Sequence, residues 1–197
     1  MTDKRKDIVR DLARQLGIAM SPATVTNIAN QMVPLKFAHR KPIIKEGEDC
    51  DHIFYIDKGL VRLFYHKNGK EITEHIACEK ELVCCLESYF THTPSKLTMQ
   101  TLEPTILYAL SYKSLEALTK DSYEVCQLYF AILKNTILLQ LRKADMVRFE
   151  SAKDRYLLTV EHTPEIAART PLQYLASVLQ ITPATLSRVR SQVNTDN

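Results

Sequence analysis

The chain has 197 residues, a quarter of them charged and 45% hydrophobic, which is globular composition with room for one ordinary domain and a small one. The formal net charge of +3 is too small to imply nucleic acid by itself, so a basic reading surface would have to be local. No apolar run approaches the ~20 residues of a membrane helix, and the start Met1-Thr-Asp-Lys-Arg-Lys6 lacks a following apolar signal core, so a cytoplasmic protein with no membrane partner is expected.

Residues 4–32 read as two helices. Ile8, Leu12 and Leu16 form one stripe, a break covers Gly17 to Pro22, and Ser21-Pro22 opens a second helix through Val25, Ile28 and Met32. The bases Lys4, Arg5, Lys6, Arg10 and Arg14 alternate with Asp3, Asp7 and Asp11, which makes a solvated face a plainer reading than a nucleic-acid patch. From Phe37 to Leu110 the period becomes two. Short runs such as Phe54–Ile56, Val61–Tyr65, Ile72–Ile76, Leu97–Leu102 and Thr105–Leu110 are β-branched or aromatic, and Asn68-Gly69 is a hairpin signal, so a small antiparallel barrel or sandwich is expected. Cysteines stand at 50, 78, 84, 85 and 126, an odd number without Cys-x-x-Cys or Cys/His ligand spacing. That pattern argues against a disulfide framework or a structural metal, and the thiols read as reduced. Leu82, Val83 and Leu86 around Cys84-Cys85 favour buried, inert thiols over a redox sensor.

Asp121 to Phe149 holds neither Gly nor Pro and reads as one long helix. Val125, Ile132, Leu139 and Met146 recur every seven residues, and Leu128, Asn135, Arg142 and Phe149 follow each by three, which is an a/d seam that would bury itself against a symmetry mate. Leu133, Ile137 and Leu141 would offer a second face to the strand domain. The alternative is a helix that packs only on its own domain. Ser151 then opens a further helix through Tyr156, Leu157 and Val160, ending near His162-Thr-Pro164.

The last segment writes two short amphipathic helices, each opened by Thr-Pro: Thr170-Pro171 and Thr182-Pro183. In the first, Gln173 stands at the capping-box spacing, and Leu172, Leu175, Ala176 and Leu179 share the core face. After a turn at Gln180-Ile181, the second buries Leu186, Val189 and Val193 and leaves Ala184, Thr185, Arg188 and Gln192 outward. A helix, a tight turn and a helix with a small-polar, arginine-bearing outer face is the pattern of a DNA reader, and the bland alternative is a hairpin that merely packs. No Asp or Glu occurs from Ile166 to Thr195, while Arg169, Arg188 and Arg190 do.

The run Ser151-Ala-Lys-Asp-Arg-Tyr156 and the motif Ile181-Thr-Pro-Ala-Thr-Leu-Ser-Arg-Val-Arg190 resemble the CRP/FNR family, the regulators related to the cyclic-AMP receptor protein and the fumarate-nitrate reduction regulator. Ile43-Ile-Lys-Glu-Gly-Glu48 and Ile53–Arg62 are similar to the opening of that family's cyclic-nucleotide-binding β-roll, with Gly47 and Gly59 at turns. The resemblance covers roughly residues 35–192. It implies an α+β chain: an N-terminal cyclic-nucleotide-binding-like antiparallel β-roll with its helices (1–118), a long dimerisation helix (119–150) and a C-terminal helix-turn-helix (151–197). It also implies a homodimer on palindromic duplex DNA, an unidentified small-molecule effector, and RNA polymerase as a further partner. Its reading residues would be Arg188 on a base edge, Thr185 and Ser187 on bases or phosphate, Thr182 and Arg190 on phosphate, together with Ala184 and Arg169.

Departures from the family pattern carry as much information as the matches. Gln180 stands where a turn glycine is usual, which costs up to ~1 kcal/mol if the turn is left-handed. Ala184 replaces a frequent Glu and so removes an acceptor for cytosine. In the ligand cassette the family's Gly-Glu positions carry Cys84-Cys85, and near Ser95 only Lys96 and His92 are basic, where a cyclic phosphate needs a forked guanidinium. Cys84, Cys85, Ser95, Lys96 and Thr98 are the candidate pocket residues, and cyclic AMP is not expected to bind. The iron-sulfur variant does not fit, since the first cysteine is Cys50. A haem ligand among His52, His66 and His75 competes with ordinary core or surface histidines, so the cofactor stays unknown. The rival reading from another class is a small-molecule module whose C-terminal helices make protein contacts. No nucleophile-base spacing, phosphate loop or metal signature points to an enzyme.

Overall fold

A computed structural model describes residues 3–195, with side chains through Val193. The first two helices follow from their caps. The Asp3 carboxylate accepts from the Arg5 N–H and opens α1 (Lys4–Gln15), and the Ser21 hydroxyl accepts from the Thr24 N–H and, with Pro22 in the first turn, opens α2 (Pro22–Gln31).

Eight strands follow: β1 (Val33–Phe37), β2 (Pro42–Ile44), β3 (His52–Lys58), β4 (Val61–Lys67), β5 (Lys70–Ala77), β6 (Leu82–Val83), β7 (Thr98–Thr101) and β8 (Thr105–Ser111). They pair antiparallel in two four-stranded sheets, β1-β8-β3-β6 and β2-β7-β4-β5. Phe54, Ile56, Val61, Leu63, Met99 and Leu107 fill the space between them. At the β4–β5 hairpin Asn68 and Gly69 both take positive φ, 52° and 72°, the requirement of the turn that Asn-Gly favours. Gly59 is held by space as well as angle: its φ is 113°, and an added Cβ would lie 2.4 Å from the Thr105 hydroxyl. Farther along the same pair, Leu63 faces His75 while Phe64 faces Thr73, so Glu74 is a bulge.

The remaining helices are α3 (Leu86–Thr91), α4 (Tyr112–Asp121), α5 (Tyr123–Phe149), α6 (Ala152–His162), α7 (Pro164–Arg169), α8 (Leu172–Val178) and α9 (Pro183–Thr195). The α+β class, the antiparallel roll, the long helix and the closing pair of helices agree with expectation. Three helices are additions to it. α3 and α7 have six residues each, too few to display a period. α4 is opened by Ser111 and separated from α5 by Ser122 alone, whose hydroxyl accepts from the Val125 N–H.

The seam expected on α5 needs correction. Val125 and Leu128 are buried inside the chain, in a core with Ile8, Val9, Val25, Ile28 and Tyr55, and Ile132 packs on the edge of that core. Met146 packs instead against the C-terminal cluster. The exposed apolar residues near one outward line are Tyr123, Phe130, Ile137 and Leu141, so Ile137 and Leu141 do not face the roll. Asn135, Leu139, Arg142 and Phe149 are exposed, but they lie beside or behind that line. Two apolar stripes share this helix, and Val125, Leu128, Ile132 and Met146 of the heptad count fall on the one its own chain uses.

Candidate functional site

α9 is positioned by its inner face. Leu186 is fully buried in a cluster with Leu175, Ala176 and Leu179 of α8 and its turn, and Val189 is nearly as buried. Thr182 caps α9 as expected, its hydroxyl accepting from the Thr185 N–H at 3.1 Å. Thr170 does not cap α8: Pro171 is the cap residue, without a side-chain bond, and the Thr170 hydroxyl is buried without a partner. Gln180 has φ of 54°, so the turn is left-handed at that position. Thr182, Ala184, Ser187 and Arg188 are exposed along the outer face, with Thr185 half-buried beside them.

Two of the expected reading arginines are engaged elsewhere. The Arg169 guanidinium forks onto Glu79, at 2.7 and 3.0 Å, and its Nε donates to Glu103 at 3.3 Å. Those carboxylates lie on the roll side, so Arg169 ties the C-terminal segment to the roll and its charge is neutralised there. Glu79 also accepts from the Gly59 N–H, and the guanidinium holds its carboxyl down to about 2. Arg190 donates to the Ala167 carbonyl at 3.0 Å and lies near the Tyr156 ring, which ties α9 to α7 and α6 rather than leaving it open for phosphate.

The contact between C-terminal helices and roll has a second anchor that the sequence reading missed. Arg62 of β4 is wholly buried and lies between the rings of Phe64 and Tyr174, at 3.7 and 3.8 Å from their centroids, with its tip paired to Glu71. The Ser177 hydroxyl of α8 accepts from the Thr73 N–H at 2.8 Å. An arginine inside an otherwise apolar strand run was the available signal.

On the opposite face of β4 and β5 lies a cleft of about 480 Å³, walled by α3 and by Ile132, Leu133, Thr136, Leu139 and Gln140 of α5. Leu63, Tyr65 and His75 line it from the strands. Burial and the nearby Lys143 ammonium push the His75 imidazole down to about 4, so it is uncharged at neutral pH. Lys143 reaches from α5 to donate to the carbonyl of the bulged Glu74.

Residues 34–122 match the family model of the cyclic nucleotide-binding domain. The matched stretch coincides with the roll, from β1 through α4. Among solved structures, FixK2 from Bradyrhizobium japonicum superposes with a TM-score of 0.71 at 16% identity, over 84% of this chain and 85% of that one. The c-di-GMP-responsive global regulator CLP of Xanthomonas campestris gives 0.65 at 20% identity, over 89% and 93%. The catabolite activator protein of Thermus thermophilus gives 0.56 at 21%, over 92% and 87%. At these identities the likeness is one of fold. No match to a curated protein sequence was found.

Within the roll, the five expected pocket residues separate into two groups. Cys84 and Lys96 line the cleft. Cys85 is buried between the sheets, its N–H donating to the Cys50 sulfur at 3.4 Å. Ser95 is buried and holds the turn, its carbonyl accepting from Gly47 and its N–H donating to Glu48, both at 2.8 Å. Thr98 accepts from the Glu46 N–H at 3.1 Å. Ser95 and Thr98 spend polar atoms on the backbone of this loop region, and Cys85 is packed in the core beside Cys50. Burial pushes the Cys84 thiol up to about 12, and the side-chain hydrogen bond with Cys50, then burial, raises that of Cys85, which makes both poor thiolates. Among the described residues there is no cluster of three or more metal-ligating side chains and no helix long and apolar enough to cross a membrane.

Proposed function

We propose that the chain is a dimeric, sequence-specific DNA-binding transcription regulator whose roll is an effector domain that does not take cyclic AMP. The observation that carries the reading is the outer face of α9, where Thr182, Ala184, Ser187 and Arg188 are exposed while Leu186 and Val189 anchor the helix from behind. With no acid from 166 to 195, that face meets phosphate without repulsion of its own. Arg188 takes a guanine edge, Thr185 and Ser187 flank it, and Thr182 meets phosphate. A second copy packs on the outward stripe of α5, which presents two identical reading helices to half-sites about one helical turn apart.

Anisotropy titration on palindromic duplexes, repeated over a salt series, is the test. Arg188→Ala is expected to cost ~1–3 kcal/mol per half-site and to relax preference at one base pair. Unchanged affinity and unchanged preference would remove Arg188 from the reading role. A flat salt dependence would favour the rival in which these helices make only protein contacts.

A further inference from the structure

The cleft between the roll and α5 has the size of a small-molecule site but the wrong charge for a nucleotide. At about 480 Å³ it falls within the range of ligand pockets, and much of its wall is apolar, with Ile53, Leu63, Leu86, Phe90, Leu133 and Leu139 on it. No arginine lines it. Three carboxylates do, those of Glu46, Glu74 and Glu87, against the one lining lysine, Lys96. That ammonium is already bound to Glu87 at 2.5 Å, and the nearby Lys143 is bound to the Glu74 carbonyl. The one fully buried arginine of the adjoining strand, Arg62, points to the other side of the sheet, between Phe64 and Tyr174. His66, also on the wall, faces Glu46 at 3.5 Å and Glu71 at 4.0 Å, so an anion entering would lose its hydration where the basic groups lining the cleft already have acidic partners, which disfavours it. What the wall does offer is polar and uncharged: the His75 ring, the Tyr65 and Tyr89 hydroxyls, the Thr136 hydroxyl, the Gln140 amide and the Cys84 thiol.

We propose that this cleft binds an apolar organic molecule without negative charge, oriented by a hydrogen bond to His75. The proposal rests on the reading of the roll as an effector domain and names the ligand class of that domain. His75 is suited to the role because its strand partner Leu63 also lines the cleft and the bulge at Glu74 fixes its direction. A nitrogen of an uncharged imidazole accepts a hydrogen bond from an N–H or O–H on such a molecule.

A matched pair of probes tests the charge preference on the full-length protein. N-phenyl-1-naphthylamine is neutral and carries an N–H; 8-anilino-1-naphthalenesulfonate has the same core with a sulfonate added. The neutral probe is expected to bind saturably, with one site per chain, and the sulfonate to bind about tenfold or more weakly because its charge is desolvated without a partner. Cyclic AMP is expected not to displace the neutral probe. Leu133→Trp, which fills the cleft from α5, is expected to abolish saturable binding with the circular dichroism spectrum unchanged, and His75→Phe to weaken it by about threefold or more. Equal or tighter binding of the sulfonate, displacement by cyclic AMP, or no saturable binding of the neutral probe would each overturn the proposal, and none of the three needs a variant. The same preparation is titrated with duplex DNA: retained DNA binding without probe binding sinks this inference alone, whereas the converse sinks the DNA reading alone.

Discussion

Gln180 holds a left-handed backbone position, with φ of 54°, that a residue bearing a Cβ occupies at a cost. Gln180→Gly is therefore expected to stabilise the chain by about 0.5–1 kcal/mol, read as a higher urea midpoint at unchanged slope. Arg169 carries a different kind of test. Glu79 is held at about 2 against an ordinary 4.5, so its folded-state pKa is depressed. The stability it contributes is fully present above pH 4.5 and is lost as the pH falls through about 2. Arg169→Met removes that contribution, which after solvent screening is on the order of 1–3 kcal/mol. The stability gap between wild type and Arg169→Met, from urea titrations followed by circular dichroism, is expected to be constant above pH 5 or so and to close as the medium is acidified toward the folded pKa. A gap that widens on acidification would place the stabilising charge elsewhere.

α5 carries two apolar stripes with different duties. Leu128 is buried in its own domain, so Leu128→Ala is expected to cost ~2–5 kcal/mol of stability and to leave the oligomeric state alone. Ile137 and Leu141 are 61% and 56% exposed and serve no intrachain core. Ile137→Glu with Leu141→Glu is expected to yield a folded monomer in equilibrium sedimentation at micromolar concentration, and a dimer that survives would move the interface off this helix. The same helix explains what was legible in the sequence. Its existence follows from length and the lack of breakers, whereas the choice between two seven-residue repeats depends on which face the N-terminal helices cover, a long-range fact. Thr182 was read correctly as a cap because capping is local. Arg169 and Arg190 were read as free because nothing near them in sequence reveals Glu79, Glu103 or the Ala167 carbonyl as their partners. The strand runs were legible from alternation and Asn68-Gly69, but whether Cys85 or His75 faces the cleft turns on strand register and on the bulge at Glu74.

At the scale of the molecule, α8 is part of the roll's packing as much as of the reading pair. Leu60, Ile76, Cys78 and Leu102 of the roll share one cluster with Leu175, Ala176, Leu179 and Leu186. Roll and reading pair are therefore expected to melt in a single transition by circular dichroism, and a fragment ending at residue 150 to melt lower because it uncovers that apolar patch. The sheet of β4 and β5 is a wall with two tenants. Leu63, Tyr65 and His75 look into the cleft, while Arg62, Phe64 and the Thr73 N–H hold Tyr174 and Ser177 of α8 from behind. A molecule that spreads or straightens these strands does work on α8 through one peptide thickness, with no relay between. If the chain binds DNA and the cleft takes a ligand as proposed, linkage runs both ways: by whatever factor an occupied cleft changes the affinity for DNA, duplex DNA changes the affinity of the cleft, so an operator would itself be an effector of the ligand site.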